Sequence, residues 1–79
     1  MDWHQHIHAD PRVLAGKPSV KGTRLGVEFL LGLLAEGWTL EQLIENYPTL
    51  TPDALRAVFD FAAESIREQT LFTVASSAR

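Results

Sequence analysis

The sequence predicts a mainly α fold in which a short N-terminal β-ribbon is followed by a three-helix bundle with helix-turn-helix character. Three observations point to it. Asp10-Pro11, Gly16-Lys17-Pro18 and Gly22 break residues 3–25 into pieces too short to be helices. From Gly26 onward, apolar residues recur at helical spacing in three successive runs. Only Gly37-Trp38 and residues 47–50 separate those runs, which makes the helices close neighbours.

In the ribbon, Trp3, Gln5 and Ile7 alternate with His4, His6 and His8, the period-2 pattern of a strand. Asp10-Pro11 is a turn signal, Val13-Leu14 a short apolar return, and residues 19–21 a second short strand whose pairing stays open. The first helix is expected over residues 26–36. Val27, Leu30, Leu31 and Leu34 form its apolar stripe, and Gly37 is its left-handed stop. The second helix starts at Thr39, a good N-cap, with Gln42 completing a capping box and Trp38 and Leu43 forming a hydrophobic staple. Its stripe is Leu40, Leu43, Ile44 and Tyr47, and Pro48 ends it. The third helix has Thr51 as N-cap, Pro52 at its first position and Asp53 near the positive end of its dipole. Leu50 and Leu55 repeat the staple, and Leu55, Val58, Phe59, Ala62 and Ile66 form the expected core face. Phe61 falls off that face and suits a dimer contact. The tail carries a strand-forming stretch with Leu71, Phe72 and Val74.

The 79 residues are expected to form a single domain: ribbon and basic loop over 3–25, trihelical part over 26–67, tail over 68–79. A chain this short buries only ~60% of the surface its unfolded form exposes. It has no cysteine to staple it, so a homodimer is the expected way to enlarge its core. Met1-Asp2-Trp3-His4 lacks the basic start and apolar region of a signal peptide, and no apolar stretch approaches the ~20 residues of a membrane span. A cytoplasmic protein with no membrane association is expected.

Net charge is −3, unevenly spread. Residues 1–26 carry four cations against two carboxylates, a net of +2, and residues 27–79 carry three cations against eight carboxylates, a net of −5. An acidic body excludes strong non-specific nucleic-acid binding, which depends on many cation–phosphate contacts. The basic stretch over residues 16–24 keeps a local contact open: Lys17, Lys21 and Arg24 are the candidates for phosphate, and the competing reading is a solvated turn in which Arg24 pairs with Glu28. In a DNA-reading helix-turn-helix the start of the last helix enters the major groove. Its solvent-side positions here are Asp53, Arg56, Ala57 and Asp60, so Arg56 is the one candidate contact and two aspartates oppose it. On a strand, His4, His6 and His8 share one face and are a candidate metal set, with nothing else in the sequence to complete the site. The order of a nucleotide-binding P-loop is absent, and no catalytic constellation is visible. The expectation is a non-enzyme without a cofactor.

The order Asp10-Pro11, Gly16-Lys17-Pro18, Gly22-Thr23-Arg24, a leucine-rich helix, Gly37 and Tyr47-Pro48-Thr49-Leu50-Thr51 resembles the bacterial family catalogued as domain of unknown function 433. The resemblance covers about residues 7–67, and its specific part is the string Gly-Lys-Pro-x-x-Lys-Gly-Thr-Arg. It implies a short ribbon and a homeodomain-like trihelical part. It also implies an antitoxin of a type II toxin–antitoxin pair, one that binds a PIN-like ribonuclease toxin and, as a dimer, represses its own operator. Under that reading Phe61, Leu71, Phe72 and Val74 are the candidates for partner or dimer contact, with the tail docking by strand addition. A DNA-binding regulator without a toxin, and a small metal-binding protein using the three histidines, are the alternatives.

Overall fold

The computed structural model, which describes residues 2–68, has the ribbon and three helices in the expected order. Strand β1 (Ile7–His8) pairs antiparallel with β2 (Ser19–Val20), Ile7 opposite Val20 and His8 opposite Ser19. Helices α1 (Val27–Ala35), α2 (Leu40–Asn46) and α3 (Pro52–Glu68) follow. Among the described residues no helix is long and apolar enough to cross a membrane.

The ribbon is shorter than the alternation of residues 3–8 predicts. Trp3–Gln5 forms one turn of 3-10 helix, not a strand. The cause is Asp2. Its carboxylate accepts the His4 backbone N–H at 3.0 Å and lies 2.7 Å from the His4 ring Nδ1. Such local bonds offer the backbone an alternative to a sheet ladder. They also hold the Asp2 carboxyl below the usual carboxylate range, the His4 ring contributing most. The expected apolar return at Val13-Leu14 is likewise a turn. Asp10 starts the loop by accepting the Arg12 backbone N–H at 2.9 Å and its guanidinium at 3.0–3.1 Å.

Each helix begins and ends for a local reason. The first free N–H of α1, on Val27, donates to the Pro18 carbonyl at 2.9 Å, so the ribbon itself caps this helix. At its other end Gly37 has φ +103°, with its N–H on the Leu34 carbonyl and the Trp38 N–H on the Leu33 carbonyl. That pair of bonds is a Schellman stop. Thr39 and Gln42 close the predicted capping box of α2, at 3.1 and 2.8 Å. For α3, the Thr51 hydroxyl accepts the Ala54 N–H at 3.0 Å.

The core gathers Ile7 and Val20 from the ribbon, Val27 and Leu30 from α1, Leu43 from α2, Leu50, and Leu55 and Val58 from α3. The Trp3 indole packs on the same cluster, edge-to-face with Phe61 at 4.8 Å between centroids, and its N–H donates to the Glu64 carboxylate. This contact corrects the expected face of α3. Phe59 and Ile66 are 44% and 53% exposed, whereas Phe61 is drawn half inside and Ala57, expected at the solvent side, is fully buried. Leu40, expected in the buried stripe of α2, is exposed, whereas Leu43 is buried and Ile44 and Tyr47 are half-buried.

Replacing Gly37 by alanine forces a side chain into a left-handed position, and chemical denaturation is expected to show a loss of about 1–2 kcal/mol; unchanged stability would mean that α1 does not depend on this stop. Trp3→Ala is expected to lose roughly 2 kcal/mol, about half the effect of removing a fully buried tryptophan, because the indole is only half-buried. A loss of a few tenths in the same assay would show that the N-terminal turn is not part of the folded unit.

Candidate functional site

The Gly-Lys-Pro-x-x-Lys-Gly-Thr-Arg string folds as two linked turns. In the first, Leu14, Ala15 and Gly16 all have positive φ, at 51°, 55° and 84°. Left-handed angles are ordinary for glycine and costly for leucine and alanine. Two backbone bonds hold the turn, from the Gly16 N–H to the Val13 carbonyl and from the Lys17 N–H to the Leu14 carbonyl, each at 3.1 Å. In the second turn, Gly22 has φ +79°, the Thr23 N–H bonds the Val20 carbonyl at 3.1 Å, and the Thr23 hydroxyl donates to that carbonyl at 2.8 Å. The Leu25 N–H donates to the same hydroxyl at 3.0 Å. The glycines and Thr23 therefore shape the loop, and the cations stand on what they shape.

Lys21 and Arg24 are exposed and make no ion pair among the described residues. The expected Arg24–Glu28 pair does not form; Glu28 instead meets Lys17, at 3.8 Å with both side chains largely in water. A pair so exposed adds little stability. Arg56 lies elsewhere, in a trough between α2 and α3 that shares no residue with the loop.

Beside the first turn the fold opens a groove of about 880 Å³, bounded by Leu14, Phe29, Leu31, Phe61 and Ile66, with Lys17 and Glu28 at its edge. Leu14, 37% exposed, stands at the lip because its backbone is left-handed. It also depends on Gly26, since a Cβ there would lie 3.1 Å from the Leu14 side chain. Residues held in costly backbone angles cluster at binding sites, where the surrounding structure keeps them in place. Phe29 meets Tyr47 edge-to-face at 6.0 Å and otherwise faces outward. Ser65 supplies the groove with a single hydroxyl. Small-molecule pockets carry several converging polar groups to orient a ligand. This one offers mainly carbon.

The three histidines do not form the expected row. His4 is in the 3-10 turn with its ring stacked on Trp3 at 3.7 Å, while His8 is in β1. Among the described residues no three potential ligands come together to hold a metal ion. Of the candidate contact residues, Phe61 lines the groove, and Leu71, Phe72 and Val74 lie outside the described residues. The reading of the sequence missed Leu14, Phe29 and Ile66. Phe29 was detectable, as a large apolar residue off the stripe of α1. Leu14 was not, because nothing in a leucine announces a positive φ.

The fold defines a small helical domain led by a two-stranded ribbon. Within that class, the chain belongs to the family described as protein of unknown function (DUF433), which matches residues 7–62. The matched span runs from the first residue of β1 into α3 and includes both turns of the loop. No curated protein and no solved structure matches the chain.

Ala15 carries only a methyl group at its left-handed position, so Ala15→Gly isolates the backbone strain. The relief is about 1–2 kcal/mol and the added freedom of glycine in the unfolded chain returns about 0.5–1 kcal/mol. Thermal or chemical unfolding is therefore expected to show a net gain of a few tenths to 1 kcal/mol; a loss would mean that the turn is not strained.

Proposed function

We propose that this chain is the antitoxin of a type II toxin–antitoxin pair, a non-enzymatic protein that holds a PIN-like ribonuclease toxin and represses its own operator as a dimer. Family membership supports the reading through the resemblance described above. The observation that carries it is the groove between the left-handed turn, α1 and α3. A groove with apolar walls and few polar groups suits the side chains of a protein partner better than a substrate that must be oriented for reaction. Phe29 and Phe61 are the aromatic anchors such an interface uses.

The test is co-expression with the neighbouring reading frame, scored by rescue of its toxicity and by co-purification. Phe29→Asp places a charge on an exposed groove position, and its helicity is expected to match the parent by circular dichroism. Binding is expected to weaken at least about tenfold and protection to be lost. Full protection by Phe29→Asp, or no complex with any adjacent gene product, would sink the reading.

A DNA-binding regulator without a toxin is the second reading, favoured by the exposed Lys21 and Arg24 on a well-braced turn. It predicts binding to the upstream sequence that weakens with salt. Replacing both residues by alanine is expected to lower affinity across sequences and to reduce the salt slope by about one for each lost phosphate contact. Unchanged affinity in a mobility-shift titration excludes the loop as the contact.

A further inference from the structure

Between α2 and α3 lies a second apolar depression, whose two charges, unlike Lys17 and Glu28 of the groove, are not paired with each other among the described residues. It measures about 390 Å³ and is lined by Leu40 and Ile44 from α2 and by Leu55 and Phe59 from α3, with Glu41 and Arg56 on its rim. Leu40 and Phe59 are both large, apolar and exposed. This is the surface that a DNA-reading helix-turn-helix turns toward the major groove. Here its lining presents the Phe59 ring, further apolar side chains and the Glu41 carboxylate, which repels phosphate. An apolar centre with a charged rim is the anatomy of a protein interface.

The surface is also complementary to itself. Phe59 and Leu40, both exposed, line the trough together with Ile44 and the buried Leu55. Its rim carries one charge of each sign on different helices, Glu41 on α2 and Arg56 on α3, and neither makes an ion pair among the described residues. A two-fold axis brings a surface against its own copy, so that each feature meets its complement twice. We infer that the α2–α3 face is the contact between two copies of this chain, with Phe59 of each copy packing into the trough of the other and Arg56 of each meeting Glu41 of the other. A nucleic acid does not fit the apolar lining or Glu41, and an unrelated protein gives no reason for two opposite charges to flank one apolar centre. The inference rests on the two-copy element of the function proposed above and on no toxin. It also separates two roles: α2–α3 joins copies, leaving the groove beside Leu14 open for a different protein.

Association in the micromolar range is expected. Sedimentation equilibrium of the full chain alone, from low to high micromolar, tests it. The parent is expected to show a reversible monomer–dimer equilibrium, and Phe59→Glu to weaken it at least about tenfold. Glu41→Arg and Arg56→Glu are each expected to weaken it, and the double reversal to restore it, since only a reciprocal pair is rescued by exchanging both charges. These rim positions are exposed, so the charge series decides the matter even if Phe59→Glu fails to fold. A parent that is monomeric throughout, a dimer indifferent to Phe59→Glu, or a double reversal no better than the singles would overturn it. Because no toxin enters the measurement, a failure here leaves the groove reading standing, and a failed rescue experiment leaves this one standing.

Discussion

The indole of Trp3 lies against α3, its edge on Phe61 and its N–H on the Glu64 carboxylate, and the orientation of the last helix depends on that contact. The two partners of the hydrogen bond are 61 positions apart, so the contact joins nearly the whole described chain into one loop. Closing a loop that spans the ribbon and all three helices costs chain entropy, which the contacts of Trp3 with α3 must offset. With Trp3 in place, Phe61 faces inward, and Phe59 and Ile66 are left outside. Ile66 then lines the groove, and Phe59 lines the trough between α2 and α3. Trp3 and Glu64 both fall outside the span that matches the family, so this orientation of α3 is secured by residues beyond the shared pattern.

The basic loop divides its work between backbone and side chains. Gly16, Pro18, Gly22 and Thr23 set its path: two positive φ angles, a carbonyl that caps α1, and a hydroxyl that ties the second turn. None of these four needs a partner to account for it. The charges of Lys21 and Arg24 do no comparable structural task, since neither is paired among the described residues. Shape and charge in this string therefore have separate causes, and only the charge calls for a ligand.

The molecule is more apolar at its surface than its acidic composition suggests. Two depressions, each with an aromatic residue at its edge, lie on either part of the helical unit and share no lining residue. A small core leaves too little interior for every large side chain, so some remain outside unless a second surface covers them. Both depressions lie where large apolar side chains stay outside the core: one beside a left-handed turn, the other between α2 and α3, where Leu40 and Phe59 are exposed.

Local chemistry made much of this fold legible in the amino-acid sequence. The capping box at Thr39 and Gln42, the cap at Thr51, the stop at Gly37 and the break at Pro48 each act within a few residues, and each appears where the residue types require. The same reasoning erred at residues 3–5, where Asp2 captured the backbone that an alternating pattern assigned to a strand; residues 7–8 do form one. Which side of α3 is buried, how Leu14 reaches the groove and where Glu28 finds a cation are questions of tertiary structure. A helical wheel spaces side chains evenly and knows nothing of what packs against them. For α3 that neighbour is Trp3, more than fifty positions away, and only the closed fold brings it there. The sequence by itself thus determined where helices start and stop, because those bonds are local. The tertiary structure alone decided which apolar residues became core and which became surface, because burial depends on contacts between distant parts of the chain.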